Sequence, residues 1–147
     1  VNARFASLAL ASSLLLSAFV VDASAAPQVV GIKLEDSSTG NGITNMRIVL
    51  DHDTVKPGRV TLRAVNTSKD LVHEVLVVAD TGKPLPIDAK EGRVNEKRIH
   101  SLGEISDLQP GKSGKLTLSL KAGKYLLFCN QPGHFEAGMK TTLTVAP

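Results

Sequence analysis

The chain has 147 residues, with 17 Lys+Arg against 14 Asp+Glu, a formal net charge of +3, 42% hydrophobic residues, 3% aromatic residues and a single cysteine. One cysteine excludes an internal disulfide, so the thiol is free, joined to another molecule or bound to metal. The charges are scattered, without a long Lys/Arg run or interleaved aromatics; this argues against a nucleic-acid binder, and the slight basic excess favours acidic partners.

In chain order, the first 25 residues read as a secretory signal peptide. Arg4 gives a short positive start, residues 5–21 are apolar, and Ala23-Ser24-Ala25 supplies the small residues of a cleavage site. An uncleaved anchor is the rival reading, but the apolar run is rich in Ala and Ser and the cleavage pattern follows it directly. The expectation is therefore an exported protein, periplasmic in a bacterium, whose mature part is a single domain over residues 26–147 with room for a modest core and no second apolar span.

The mature part alternates short apolar runs with turn residues. Strands are predicted over 28–34 and 46–50, separated by a Ser/Gly/Asn-rich turn at 36–41. Pro57-Gly58 turns the chain into 59–65, where Val60, Leu62 and Ala64 alternate with mostly polar neighbours. Residues 66–70 lead into an aliphatic run, Leu71-Val72-His73-Glu74-Val75-Leu76-Val77-Val78, dense enough to be a buried strand. Residues 81–100 break the pattern with Pro84, Pro86, Gly92 and many charges, and are predicted to form one long loop, with a short helix at 89–97. Further strands follow over 102–108, 115–120, 125–129 and 140–145. This is an all-β chain, a two-sheet sandwich of about seven or eight strands.

The chemistry concentrates in Cys129-Asn130-Gln131-Pro132-Gly133-His134-Phe135-Glu136-Ala137-Gly138-Met139, which joins the last two predicted strands. A thiolate, an imidazole and a thioether so close together suit a soft, redox-active ion; a cysteine with two histidines and a weak axial methionine is the ligand set of a blue-copper centre. Taken singly, Cys129 could be an inert buried thiol, His134 an exposed loop residue and Met139 core packing. Their combination is what points to metal.

A second histidine must come from elsewhere, and His73 is the best donor. On its strand it shares a face with Val75 and Val77, where an imidazole needs a partner; the bland alternative is a core histidine bonded to a carbonyl. His52 sits between Asp51 and Asp53 in a turn, and His100 lies in the charged excursion. Structural zinc would ask for four N/S ligands in closed spacings such as Cys-x-x-Cys, which are missing. A Cys/His hydrolase would lack a Gly-rich nucleophile turn and would leave Met139 without a task, so no enzymatic activity is expected.

These residues resemble the cupredoxins, the small blue-copper proteins that include plastocyanin, azurin and rusticyanin. Members carry a histidine on an early strand, a cysteine closing a late strand, and a histidine and a methionine in the loop beyond it. His73, Cys129, His134 and Met139 match those positions, and Pro132-Gly133-His134 is similar to azurin's loop. The resemblance departs at Glu74, where members commonly have an Asn that ties the strand to the cysteine loop, and at Asn130, where many have Ser or Thr.

The resemblance implies a Greek-key sandwich and one copper ion cycling between Cu(I) and Cu(II). It further implies one-electron transfer through His134 to a redox protein, such as a c-type cytochrome or a copper oxidase or reductase, by a transient contact of a monomer. A copper-handling protein that buffers or delivers the ion is the alternative. The absence of a Met-rich or His-rich tail favours electron carriage.

Overall fold

The computed structural model describes residues 28–39 and 42–147. The expected signal segment, 1–25, lies outside the described residues. Among the described residues eleven strands follow in chain order: β1 (Gln28–Thr39), β2 (Gly42–Leu50), β3 (Thr54–Val55), β4 (Gly58–Asn66), β5 (His73–Ala79), β6 (Ile87–Asp88), β7 (Arg93–Val94), β8 (Ser101–Leu108), β9 (Ser113–Leu120), β10 (Gly123–Phe128) and β11 (Lys140–Val145). Eight of them have six residues or more, as a two-sheet sandwich requires.

The first sheet runs β2-β1-β4-β9 and the second β3-β11-β10-β5-β8, with β1 parallel to β4 and β11 parallel to β3. Non-neighbours in sequence therefore pair within each sheet, which is the Greek-key pattern. Val30, Ile32 and Leu34 on β1, Val60, Leu62 and Ala64 on β4, and Val75, Val77, Tyr125, Leu127 and Leu143 from the second sheet fill the space between the layers. At the β8–β9 corner the sheets come so close that a Cβ on Gly114 would lie 2.4 Å from Ile105, so only glycine fits there.

Two local expectations change. The stretch at 36–41 is not a free turn, since β1 extends to Thr39 and β2 begins at Gly42. The ladder continues past Glu35↔Arg47 to Ser37↔Thr44; β2 spends one residue more than β1 between those pairs, and Asn45 absorbs it at φ 54°. Ser and Thr that read as turn residues by composition are held here by cross-strand pairing.

The 81–100 excursion is not one loop with a helix over 89–97. It folds as a small hairpin, Ile87↔Val94 and Asp88↔Arg93, followed by a 3-10 turn at Glu96–Arg98. This arm lies on the outer face of the second sheet, where Val94, Leu85 and Ile99 cover Leu76, Val78, Leu126 and Phe128. Alternation explains it: the inner set of β5 faces the sandwich, and its outer set, equally apolar, needs a lid.

Candidate metal centre

β5 starts at His73, and the turn that delivers it is fixed by Asn66. This fully buried side chain donates from Nδ2 to the carbonyls of Leu71 and Leu108, both at 2.7 Å, and accepts the Ser68 amide at 3.0 Å. His73 consequently enters on the inner face with Val75 and Val77, as the alternation predicts. From the neighbouring strand of the same sheet, β10 ends at Phe128 and delivers Cys129 on the same inner face as Tyr125 and Leu127.

The segment between Cys129 and Met139 is a series of tight turns. Amide bonds run from His134 to Gln131 (3.0 Å), from Ala137 to Gly133 (2.9 Å) and from Met139 to His134 (3.0 Å), and Cys129 N–H donates to the Met139 carbonyl at 3.0 Å, closing the loop. Gly133 takes φ 80° just before His134, a left-handed turn that a side chain would oppose.

Folding brings three donors together. Nδ1 of His73 lies 3.2 Å from Nδ1 of His134, and the Cys129 Sγ lies 3.9 Å from the first and 3.4 Å from the second. Among the described residues these three form a cluster of potential ligand atoms within 4.8 Å of one another, all buried. Met139 is fully buried in the same core cluster as Cys129. His52 instead pairs with Asp51 at 2.7 Å in an exposed turn, and His100 is exposed on the arm.

The tautomer of His73 is set from behind. Its Nε2 faces the Asp36 carboxylate at 2.9 Å, so Nε2 carries the proton and Nδ1 presents its lone pair to the cluster. Burial alone would raise the Asp36 carboxyl, but hydrogen bonds from Ser68 and His73 and the charges of His73 and His134 outweigh it and hold it below its ordinary value. Burial, with help from the His73 charge and against a smaller pull from Asp36, pushes His134 down to about 4. Burial pushes the Cys129 thiol up to about 11; backbone hydrogen bonds at Gln131 and Glu74 oppose it, and the Glu74 and Asp107 charges add to it. At neutral pH the pocket thus offers a neutral His134 ring and a protonated thiol, whose proton an incoming metal must displace.

Glu74, on the outer side of β5, accepts the Asn130 amide at 3.0 Å. Its carboxylate therefore makes the strand-to-loop tie for which the family commonly uses Asn. Burial, reinforced by Asp107, Glu104 and Glu96 and opposed by the Asn130 bond, raises it from 4.5 to about 7.

A family model described as copper binding proteins of the plastocyanin/azurin family matches residues 36–146. The chain belongs to the cupredoxins. Auracyanin-B from Chloroflexus aurantiacus is 54% identical over 49 residues, a match covering 33% of this chain and only 21% of the length of that relative. The reduced auracyanin of Roseiflexus castenholzii covers the fold more fully: TM-score 0.55, 23% identity, 84% of this chain and 99% of that one. Rusticyanin from Thiobacillus ferrooxidans is similar at TM-score 0.55 and 18% identity, over 82% of this chain and 79% of its own. The cofactor of this cupredoxin is copper, and the donors fit it: a thiol and two imidazole nitrogens converge, and a thioether is buried beside them.

Of the residues that organise this centre, sequence reading reached the three clustered donors and Met139. It passed over Asp36, although the period of two through Val30, Ile32 and Leu34 already places residue 36 on the inner face, where a carboxylate must find a partner. Asn66 and Asn130 left no comparable signal, because their bonds to Leu108, Val94 and Glu96 reach segments that only folding brings alongside.

Proposed function

We propose that this cupredoxin is an exported one-electron carrier in which His73, Cys129 and His134 hold the copper and Met139 stands as its weak axial ligand. The observation that carries the assignment is the convergence of Nδ1, Nδ1 and Sγ within 4.8 Å from two neighbouring strands of the second sheet and the loop that follows them. When bound, copper supplies the Cu(I)/Cu(II) couple. The chain's part is to keep the donors in one arrangement through both states: Asp36 orients His73, the Cys129–Met139 backbone bond closes the loop, and the apolar core excludes water.

Of the three donors, His73 and Cys129 have no exposure, whereas His134 retains 9%. Its ring is the natural way out for the electron, beside exposed Pro132 and Gly133 and half-buried Phe135. The partner, a c-type cytochrome or a copper oxidase or reductase, would meet this face in a small, transient contact. Donors locked into a buried pocket suit electron passage more than release of the ion, which favours carriage over copper delivery. Export is supported by the sequence of residues 1–25; among the described residues no helix is long and apolar enough to cross a membrane.

The test is the visible absorption and EPR spectrum of the copper-loaded protein with and without Cys129→Ser. The parent should show an intense thiolate-to-copper band in the visible and the substitution should abolish it. An unchanged spectrum would remove the thiolate from the centre and end this reading.

A further inference from the structure

The ladder of β10 stops at Phe128, one residue before the cysteine, so something other than sheet pairing must hold the stretch from Cys129 to His134. Two anchors come from within the sandwich: the Met139 carbonyl on the Cys129 amide and the Glu74 carboxylate on the Asn130 amide, each at 3.0 Å. The other anchors come from the arm. The Asn130 Oδ1 accepts the Val94 amide at 2.7 Å, and its Nδ2 donates to the Val94 carbonyl at 3.0 Å and to the Glu96 Oε1 at 2.7 Å. Three residues on, the Gly133 amide donates to the Gly92 carbonyl at 2.7 Å.

The Asn130 carboxamide takes both main-chain groups of a single residue, as a neighbouring strand would, and so prolongs the sheet by one side chain beyond its last ladder pair. Asn130 and Val94 are both fully buried, and Val94 packs with Leu76, Val78 and Phe128, so the anchor point is stiff. The attachments lie just inside the two donors: Asn130 follows the thiol by one residue, and Gly133 precedes the imidazole by one. A shift of the arm must therefore move both together.

Building on the copper assignment above, we propose that Asn130 is a positioning residue for the metal centre, through which the arm fixes where the sulfur of Cys129 and the ring of His134 stand. The arm is then part of the centre's support as well as a cover for the sheet. Removing an orienting partner of this kind typically lowers metal affinity about 10–100-fold, and losing one hydrogen bond speeds local amide exchange by up to about tenfold.

The experiment compares Asn130→Ala, Glu96→Ala and Glu96→Gln by amide exchange on the copper-free protein, and by copper affinity and reduction potential on the loaded protein. For Asn130→Ala we expect about tenfold faster exchange at Val94 and Gly133, affinity down about 10–100-fold and a changed potential. Glu96→Ala should move every readout the same way by less, and Glu96→Gln, which keeps an acceptor for Nδ2, should restore the parent's values. Potential and affinity equal to the parent in both alanine variants, even with lower melting temperatures, would reduce Asn130 to a structural role and overturn the proposal. If Asn130→Ala does not fold, the Glu96 pair decides alone. Failure of the copper assignment is seen separately, in an unchanged Cys129→Ser spectrum, whereas the copper-free exchange data report on the anchor regardless.

Discussion

The two sheets treat their outer faces differently. In the first, β4 buries every second side chain, β9 half-buries Leu116 and Leu118 and buries Leu120, and Arg59, Arg63, Lys115 and Thr117 turn to water. In the second, β5 is buried on both faces from Val75 to Val78, because the arm lies over Leu76 and Val78. A sheet with one wet face needs only an inner core to stay in place. The sheet that carries His73 and leads into Cys129 has a core on each side, and the copper loop leaves β10 where those two cores meet.

This contrast breaks most visibly if the outer core is emptied. Phe128 is fully buried under the arm, with its ring edge-on to Phe135 at a centroid distance of 5.3 Å, whereas Leu62 is fully buried in the inner core from the first sheet. Phe128→Ala should cost about 3–5 kcal/mol and Leu62→Ala about 2–5 kcal/mol in urea denaturation of the copper-free protein. The two differ in reach: the Phe128 variant should also lose amide protection at Gly133 and Val94, and Leu62→Ala should leave both amides as they were. Equal disturbance of the copper loop by both would mean that the two cores are one.

The same contrast governs what could be read from sequence. Alternation is a strong signal, so β4 and β9 were legible within a residue or two, and so was the inward set of β5 that includes His73. The donors were legible because four metal-binding side chains in one pattern are rare by chance. The arm was not, because Leu85, Val94 and Ile99 are irregularly spaced among prolines and charges and find their places only once the outer face of β5 and β10 exists. The extension of β1 to Thr39 was missed for a related reason, since a Ser/Thr ladder is fixed by its partner strand rather than by its own composition.

A subtler break concerns charge under the arm. Glu74 has a folded value of about 7 against an ordinary 4.5, so the folded state holds its proton more tightly and stability falls as pH rises from 4.5 to 7. His134, lowered from 6.5 to about 4, acts oppositely: the unfolded chain holds the proton, and stability rises as pH rises through that range. Where the windows overlap, between about pH 4.5 and 6.5, the copper-free parent should show a nearly flat stability profile. Glu74→Gln keeps an acceptor for the Asn130 amide and removes the charge, so its stability should climb with pH over that window and exceed the parent's at pH 8. Urea midpoints across the pH range read this directly. Parallel profiles for parent and variant would show that Glu74 titrates normally and that the arm does not isolate it from water.

The smallest effect belongs to the wet face of the first sheet. Thr61 and Thr117 are directly opposed on β4 and β9, their hydroxyl oxygens 2.9 Å apart and exposed. Such cross-strand pairs contribute roughly 0.2–1 kcal/mol, and water replaces the lost hydrogen bond on an open face. Thr61→Val keeps the β-branch and the volume while deleting the hydroxyl, so its cost should stay within about 0.5 kcal/mol, and Thr117→Val should add little on top because both remove the same bond. Neither should alter copper affinity or protection at Gly133, since the inner core and the second sheet separate this face from the arm. A measurable change in either would mean that strain crosses the sandwich from sheet to sheet, and the division between a one-sided sheet and a two-sided one would lose its explanatory value.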